Sequence, residues 1–273
     1  MSKAAALGSR IRNRASWYSG GALEHAFMQA RRFAHRIGWR DRTEYLSLGC
    51  AFGNEASGLF SEFCAVIGGL AHLDAWRDLY SGLQVDFGTD GLYYEPAKGP
   101  NWWEYYFEPI STGEAEPGRA RLVLPWQHDL FADHVERTMT RVAAAALVRR
   151  HIGVKPFIVE QVDRFVADRL QRGTIIGVHY RGTDKSTEHP LVPYTDFIGR
   201  LRAEVTPGDT IFVATDDQRF LDRLQLEMGH AILSRVAHRS VDGSPVHKAP
   251  GNGFQKGEEA LIDCMLRSRC RGL

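Results

Sequence analysis

Two short apolar, β-branched runs, each followed by a helical period, constrain this chain more than any other feature. Thr174 to His179 reads Thr-Ile-Ile-Gly-Val-His, and Thr210 to Ala214 reads Thr-Ile-Phe-Val-Ala. Between them, Tyr194 to Val205 places Phe197, Leu201 and Val205 on one helical face. Asp216 to Met228 is helical again, and Ala231 to Leu233 is a short third strand. Apolar runs of this length suit strands buried on both faces. Strands alternating with helices indicate βαβ units and a parallel sheet. Ligands of such sheets bind outside the carboxyl ends of the strands, so the segments after His179 and Ala214 are where chemistry is expected.

The first half opens in the same α/β manner. Residues 21–37 place Leu23, Phe27, Ala30 and Ala34 on one face of a helix. Glu44 to Leu48 reads as a strand ended by Gly49 and Gly53, and Ser57 to Leu73 as a helix with Leu59, Phe60, Phe63, Ile67 and Leu70 at helical spacing. Residues 88–125 form an aromatic excursion punctuated by Gly and Pro, with Gly113 to Gly118 as an exposed loop. A helical period returns from Asp129 to His151 through Leu130, Val135, Met139, Val142 and Leu147. Gly153 and Pro156 then break the chain, and Pro156 to Leu170 is an amphipathic helix. The expected division is a basic helical segment over 1–42, an α/β domain over 43–155 and a second α/β domain over 156–273.

Composition narrows the function classes. The chain has 273 residues, 44% hydrophobic and 25% charged, as in an ordinary soluble globular protein. A formal net charge of +1 gives no reason to expect a nucleic-acid partner. Residues 1–42 nevertheless hold nine Lys/Arg against Glu24 and Asp41. That excess suits a solvated basic helix, a transit peptide or a surface arm for anionic partners. No apolar run approaches the roughly 18 residues of a membrane span, and no signal-peptide core follows the start, so the expected location is the cytoplasm. Cys50, Cys64, Cys264 and Cys270 form no CxxC pair and no zinc-ligand spacing; Cys64 and Cys264 read as small core residues. Walker, dinucleotide-fingerprint, HExxH and GxSxG motifs are all absent.

The strongest candidate site follows the Thr174–His179 strand. Arg181, Asp184 and Lys185 fall within five residues, flanked by His179 and Glu188. An arginine fork can grip two phosphate oxygens, and lysine adds a point charge beside it. Gly182 permits close backbone approach. Such a set neutralises a departing diphosphate; the competing reading is a strand-end turn with an Arg181–Asp184 surface ion pair. Next, Ala214-Thr215-Asp216-Asp217 ends the following strand, where one Asp could accept from ribose hydroxyls or guanine N–H groups, or Thr215 or Asp216 could cap the next helix. Gly53, Asn54 and Glu55 could face the site from the first half, or form an ordinary turn. Trp102 and Trp103 could stack an acceptor sugar, or pack in the core. His128, His134, His151, His230, His238 and His247 show no metal-ligand spacing, and no metal is expected.

Ile-Gly-Val-His-Tyr-Arg-Gly-Thr-Asp-Lys, then Val-Ala-Thr-Asp-Asp, then Glu-Glu-Ala-Leu-Ile-Asp-Cys-Met-Leu-Arg-Ser-Arg-Cys resembles the fucosyltransferase superfamily. The likeness is nearest to alpha-1,6-fucosyltransferases and bacterial nodulation fucosyltransferases, and it covers roughly residues 44–270. The aromatic stretch Asn101 to Pro109 is similar to bacterial members as well. The resemblance implies an α/β, GT-B-like fold of two Rossmann-like halves. It implies GDP-fucose as donor, a glycan or other hydroxyl acceptor, inversion at the sugar carbon and no metal cofactor. By position it implies that Arg181 contacts the GDP diphosphate, with His179, Gly182, Asp184 and Lys185 completing that motif. Glu188 would assist the acceptor hydroxyl, Tyr194 would lie near the nucleotide, and Asp216 or Asp217 and Asp263 would be donor-site acids. The first half would hold the acceptor.

Two departures accompany the resemblance. Relatives often carry two consecutive arginines where this chain has Arg181-Gly182. They also continue past the Cys270 region into a buried strand and a phosphate-holding Ser/Thr-rich loop, whereas this chain ends Arg271-Gly272-Leu273. Only three strands are read in the second half, and the helix Glu258 to Ser268, with Leu261, Met265 and Cys264 inward, has none after it. The expectation is therefore a truncated C-terminal domain. The rival functional readings are an inactive remnant that binds nucleotide or a partner, and a sugar- or phosphate-binding module without transferase activity.

Overall fold

The computed structural model describes residues 28–38, 44–48, 58–89, 91–112, 121–122, 139–171, 173–183, 190–246 and 251–272. They fall into two compact units.

In the first unit, β1 (Glu44–Leu48) pairs in parallel with β2 (Tyr80–Val85) and with β4 (Arg121–Leu122), and β3 (Ser111–Thr112) runs antiparallel to β2. Strand order is β3-β2-β1-β4. Helical residues 28–36 (α1) precede this sheet, and α2 (Leu59–Ala75) packs on it through Val66 and Leu70. Gly69 makes that approach close: a Cβ there would lie 2.4 Å from Leu48 Cδ1. The helix α3 (Arg141–His151) buries none of its residues, and Val142, expected on an inward face, is 77% exposed. Thr140 caps it by accepting from Ala143 N. Its alanine-rich interior favours a helix whether or not it packs, so periodicity overstated its burial.

The second unit contains the expected parallel sheet. Its elements are α4 (Pro156–Arg169), β5 (Ile175–Tyr180), α5 (Tyr194–Glu204), β6 (Thr210–Thr215), α6 (Gln218–Glu227), β7 (Ala231–Leu233), α7 (Gly253–Ser268) and β8 (Arg271–Gly272). All four strands are parallel, in the order β7-β6-β5-β8. Ile176, Val178 and Tyr180 of β5, with Ile211 and Val213 of β6, meet Ile198 and Leu201 of α5 and Phe220, Leu221 and Leu224 of α6 in one core. The opposite strand face meets α4, where Phe165 lies edge-on to Phe212, and the end of α7, where Gly177 leaves room for Arg267 and Cys270. Residues alternate between these faces with the strand period of two.

Three expectations are corrected. The helix α7 is followed by a strand after all: Arg271 pairs with Ile176 and Gly272 with Gly177, beginning β8 beside β5. The inward stripe of α7 is Leu261, Ile262 and Leu266, so Cys264, about 200° round the helix from Ile262, is exposed; Cys64 is half-buried. The aromatic part of the 88–125 excursion, through Glu108, does not belong with the first half. Phe87–Glu108 is part of the second unit, because Phe107 bridges to Val154 and Tyr106 donates to the carbonyl of Phe254 at 2.9 Å. Gly257 of α7 exists as a seat for that tyrosine, since a Cβ there would lie 2.4 Å from its ring.

A candidate nucleotide site at the strand-order reversal

Strand order reverses at β5: the chain steps outward to β6 and β7, then returns through α7 to β8 on the other side. A crevice at the carboxyl ends is the consequence of such a reversal. The β5/β6 register is unshifted from Ile175↔Thr210 to Tyr180↔Thr215, so both strands end level and Arg181–Thr183 meets Asp216–Asp217.

Asp216 clamps the β5 turn. Gly182 N donates to its Oδ1 at 2.8 Å and Thr183 Oγ1 to its Oδ2 at 2.6 Å, while Arg181 Nε stands 4.0 Å from Oδ2. Thr183 is buried and the Arg181 side chain is 39% exposed. The turn is therefore held by its backbone and Thr183, and the part-exposed guanidinium lies 4.0 Å from Asp216. That arrangement suits an anion receptor.

Asp217 has a different part. It is 0% exposed and caps α6, accepting from Arg219 N at 3.0 Å. Its carboxylate also receives Arg219 Nε at 3.1 Å, Arg219 Nη2 at 3.2 Å and the hydroxyl of Tyr194. Burial alone would raise the Asp217 carboxyl, but the Arg219 and Tyr194 hydrogen bonds and the Arg219 charge outweigh it and hold it below the usual carboxylate range. The Tyr194 hydroxyl is pushed up to about 12 by burial and by its bond to Asp217. Beneath it, Tyr180 stacks on Phe220 at 4.0 Å and donates to Val192 O at 2.8 Å. His179 lies on the α4/α7 face of β5, its imidazole held below the usual range by partial burial and by Arg267 and Arg181.

A third loop joins the edge from a distance. Ser240 N donates to Asp216 O at 2.8 Å, and Gln218 N donates to Ser240 O at 2.9 Å, extending the sheet beyond β6. Asp242 accepts from Ser240 Oγ and Ser244 N, and the Ser244 hydroxyl, the Ser244 backbone and the Ser240 hydroxyl together lower its carboxyl to about 2.

Several assignments change in this light. Asp217, not Thr215 or Asp216, caps α6, and its oxygens are engaged within the protein rather than offered to ribose or base. Asp263 pairs with Arg235 at 3.0 Å and is raised by burial against that partner. Trp102 and Trp103, 0% and 1% exposed, are core and present no face to an acceptor. Gly53, Asn54, Glu55, Asp184, Lys185 and Glu188 lie outside the described residues. Thr183, Arg219 and Ser240 were not singled out in sequence. Arg219 follows a capping Asp at a spacing of two and was findable; Ser240 carries no local signal. Among the described residues, no group of three or more His, Cys, Asp or Glu could hold a metal ion, and no helix is long and apolar enough to cross a membrane.

Fold and site together define a two-unit α/β protein with an arginine-bearing turn where a parallel sheet reverses its strand order. Comparison with solved structures gives this a particular relative. The chain shares the fold of the fucosyltransferase NodZ. It matches NodZ alpha-1,6-fucosyltransferase co-crystallised with GDP at a TM-score of 0.53 and 16% identity, over 83% of this chain and 85% of that one. The GDP-fucose-soaked NodZ structure matches at a TM-score of 0.54 and 16% identity over the same shares. NodZ from Bradyrhizobium matches at 0.51 and 16%, over 83% and 86%. No protein-family model and no curated protein sequence matches the chain.

Proposed function

We propose that this protein is a GT-B-like glycosyltransferase that moves fucose from GDP-fucose to a hydroxyl of a glycan or similar acceptor, with inversion and without a metal. The observation that carries the reading is Arg181: exposed, at the β5 carboxyl end beside the reversal, on a turn pinned by Asp216. A guanidinium so placed stabilises the negative charge that develops on the departing diphosphate. The NodZ structures add that a protein of this fold takes GDP and GDP-fucose. By sequence position, Lys185 adds a second cation to the leaving group, and Glu188 or Glu55 takes the acceptor proton.

Calorimetric titration with GDP and GDP-fucose tests this directly. The wild type binds both saturably, and Arg181→Ala weakens GDP about 10- to 100-fold, the scale of hydrogen bonds to a charged group. Unchanged GDP affinity in Arg181→Ala sinks the reading. Donor binding with no GDP release against any acceptor would instead identify an inactive nucleotide-binding remnant.

A further inference from the structure

Arg219 is held far more firmly than helix capping requires. Capping α6 needs only the bond from Arg219 N to Asp217 Oδ1. Yet the guanidinium is also pinned on the same carboxylate through Nε and Nη2, at 3.1 and 3.2 Å, with Tyr194 fixing Oδ2 from another side.

Two glycines leave the space for this pair. A Cβ on Gly182 would lie 2.4 Å from Asp217 Oδ2 and 2.8 Å from Asp217 Cβ. A Cβ on Gly243, where φ is +91°, would lie 2.9 Å from Arg219 Nη2. One glycine belongs to the turn that carries Arg181; the other belongs to the loop that Ser240 ties to the β6 edge. Space has thus been kept on both sides of one ion pair by segments about sixty residues apart in sequence.

The pair is also lopsided. Asp217 is wholly buried, whereas the Arg219 side chain is 45% exposed. A guanidinium has five N–H donors, and the carboxylate behind it occupies one edge of the fork, so the exposed edge keeps donors in a fixed direction. A fork fixed in advance loses little rotamer freedom when an anion arrives.

We infer that Arg219 is a second phosphate-contacting residue of the nucleotide site, pinned by Asp217 so that its outer N–H edge meets the diphosphate approached by Arg181. Asp217 is then a positioning residue that acts through Arg219. Because Asp217 balances its charge, Arg219 works by directed hydrogen bonds rather than by net charge. This rests on the donor-site reading above.

The test is titration of wild type, Arg219→Ala, Arg219→Gln, Arg219→Lys and Arg181→Ala with GDP, inorganic pyrophosphate and guanosine, alongside thermal melts. Arg219→Ala should weaken GDP and pyrophosphate about 10-fold or more and leave guanosine unchanged. Arg219→Lys, which keeps charge but loses the fork, should lose nearly as much. If Arg219→Ala fails to fold, Arg219→Gln, which can still bond to Asp217, carries the comparison. GDP affinity kept in the Arg219 variants but lost in Arg181→Ala would overturn this inference and spare the donor site. Equal losses for GDP and guanosine would reduce Arg219 to a structural part and also overturn it. A wild type that binds neither GDP nor pyrophosphate would overturn both.

Discussion

The second unit holds two aromatic clusters of similar composition and opposite use. Trp102, Trp103, Tyr105, Tyr106 and Phe107 pack with Tyr93, Phe87 and Phe254. Their hydroxyls end on main-chain carbonyls: Tyr105 on Glu95 and Gly99, Tyr106 on Phe254 and Gly253. Tyr180, Tyr194, Phe197 and Phe220 form the other cluster under the carboxyl edge of β5 and β6. There Tyr194 ends on Asp217, the acid that holds Arg219. Ring density therefore does not mark a binding face. Tyr180 of the second cluster closes on the Val192 carbonyl just as the first cluster's tips close on backbone, so the difference lies in Tyr194, whose hydroxyl meets a side chain.

The largest effect expected from this contrast is Trp102→Ala. A fully buried indole removed from the first cluster should cost about 3–5 kcal/mol in denaturant unfolding, with GDP affinity per folded molecule unchanged. Loss of GDP affinity at preserved stability would break the comparison and return Trp102 to the site.

Asp263→Asn comes next. It leaves Arg235 part-buried without its ionic partner, and should cost on the order of 2 kcal/mol while sparing GDP binding. A donor-site role for Asp263 would show as the reverse.

The two crowded glycines sharpen the contrast further. Gly257→Val presses on Tyr106 and should cost about 1–3 kcal/mol of stability. Gly182→Ala presses on Asp217 instead, and should lower GDP affinity by more than its change in melting temperature accounts for. Equal behaviour of the two variants would erase the distinction.

Tyr194→Phe should be the mildest, about 1 kcal/mol at neutral pH. Its signature is in alkali. The Tyr194 hydroxyl sits at about 12 in the folded protein against an ordinary 10.0, so the folded state binds that proton more tightly. The stability it contributes is whole below pH 10.0 and is lost as pH rises towards about 12. The stability difference between wild type and Tyr194→Phe should therefore hold steady to that point and shrink above it. A difference that is flat across the whole range would mean that the bond to Asp217 contributes nothing.

Local pattern was enough for β5, β6, β7 and the helices between them, because a buried strand needs a β-branched apolar run and an amphipathic helix a period of 3.6. It was enough as well to place Arg181 at a strand's carboxyl end, and the alternation of elements implied that the neighbouring loop would lie beside it. Pattern failed where burial depends on a distant partner. The ring-rich segment 102–107 reads as a core ahead of a stacking platform, and its packing on α7 decides for the core. Val142 fits a helical period yet is 77% exposed, on a helix that buries none of its residues fully.

The sequence by itself determined the α/β class of the second half, the identity of the arginine-bearing turn and the likeness to a fucosyltransferase. Tertiary structure alone decided which of two adjacent acids clamps the turn and which pins Arg219, that Asp263 belongs to Arg235, that β8 starts beside β5, and that Ser240 closes the β6 edge. Each of those joins residues far apart in the chain or separates neighbours one position apart. Strand order and helix packing settle such pairings, and no local propensity encodes them.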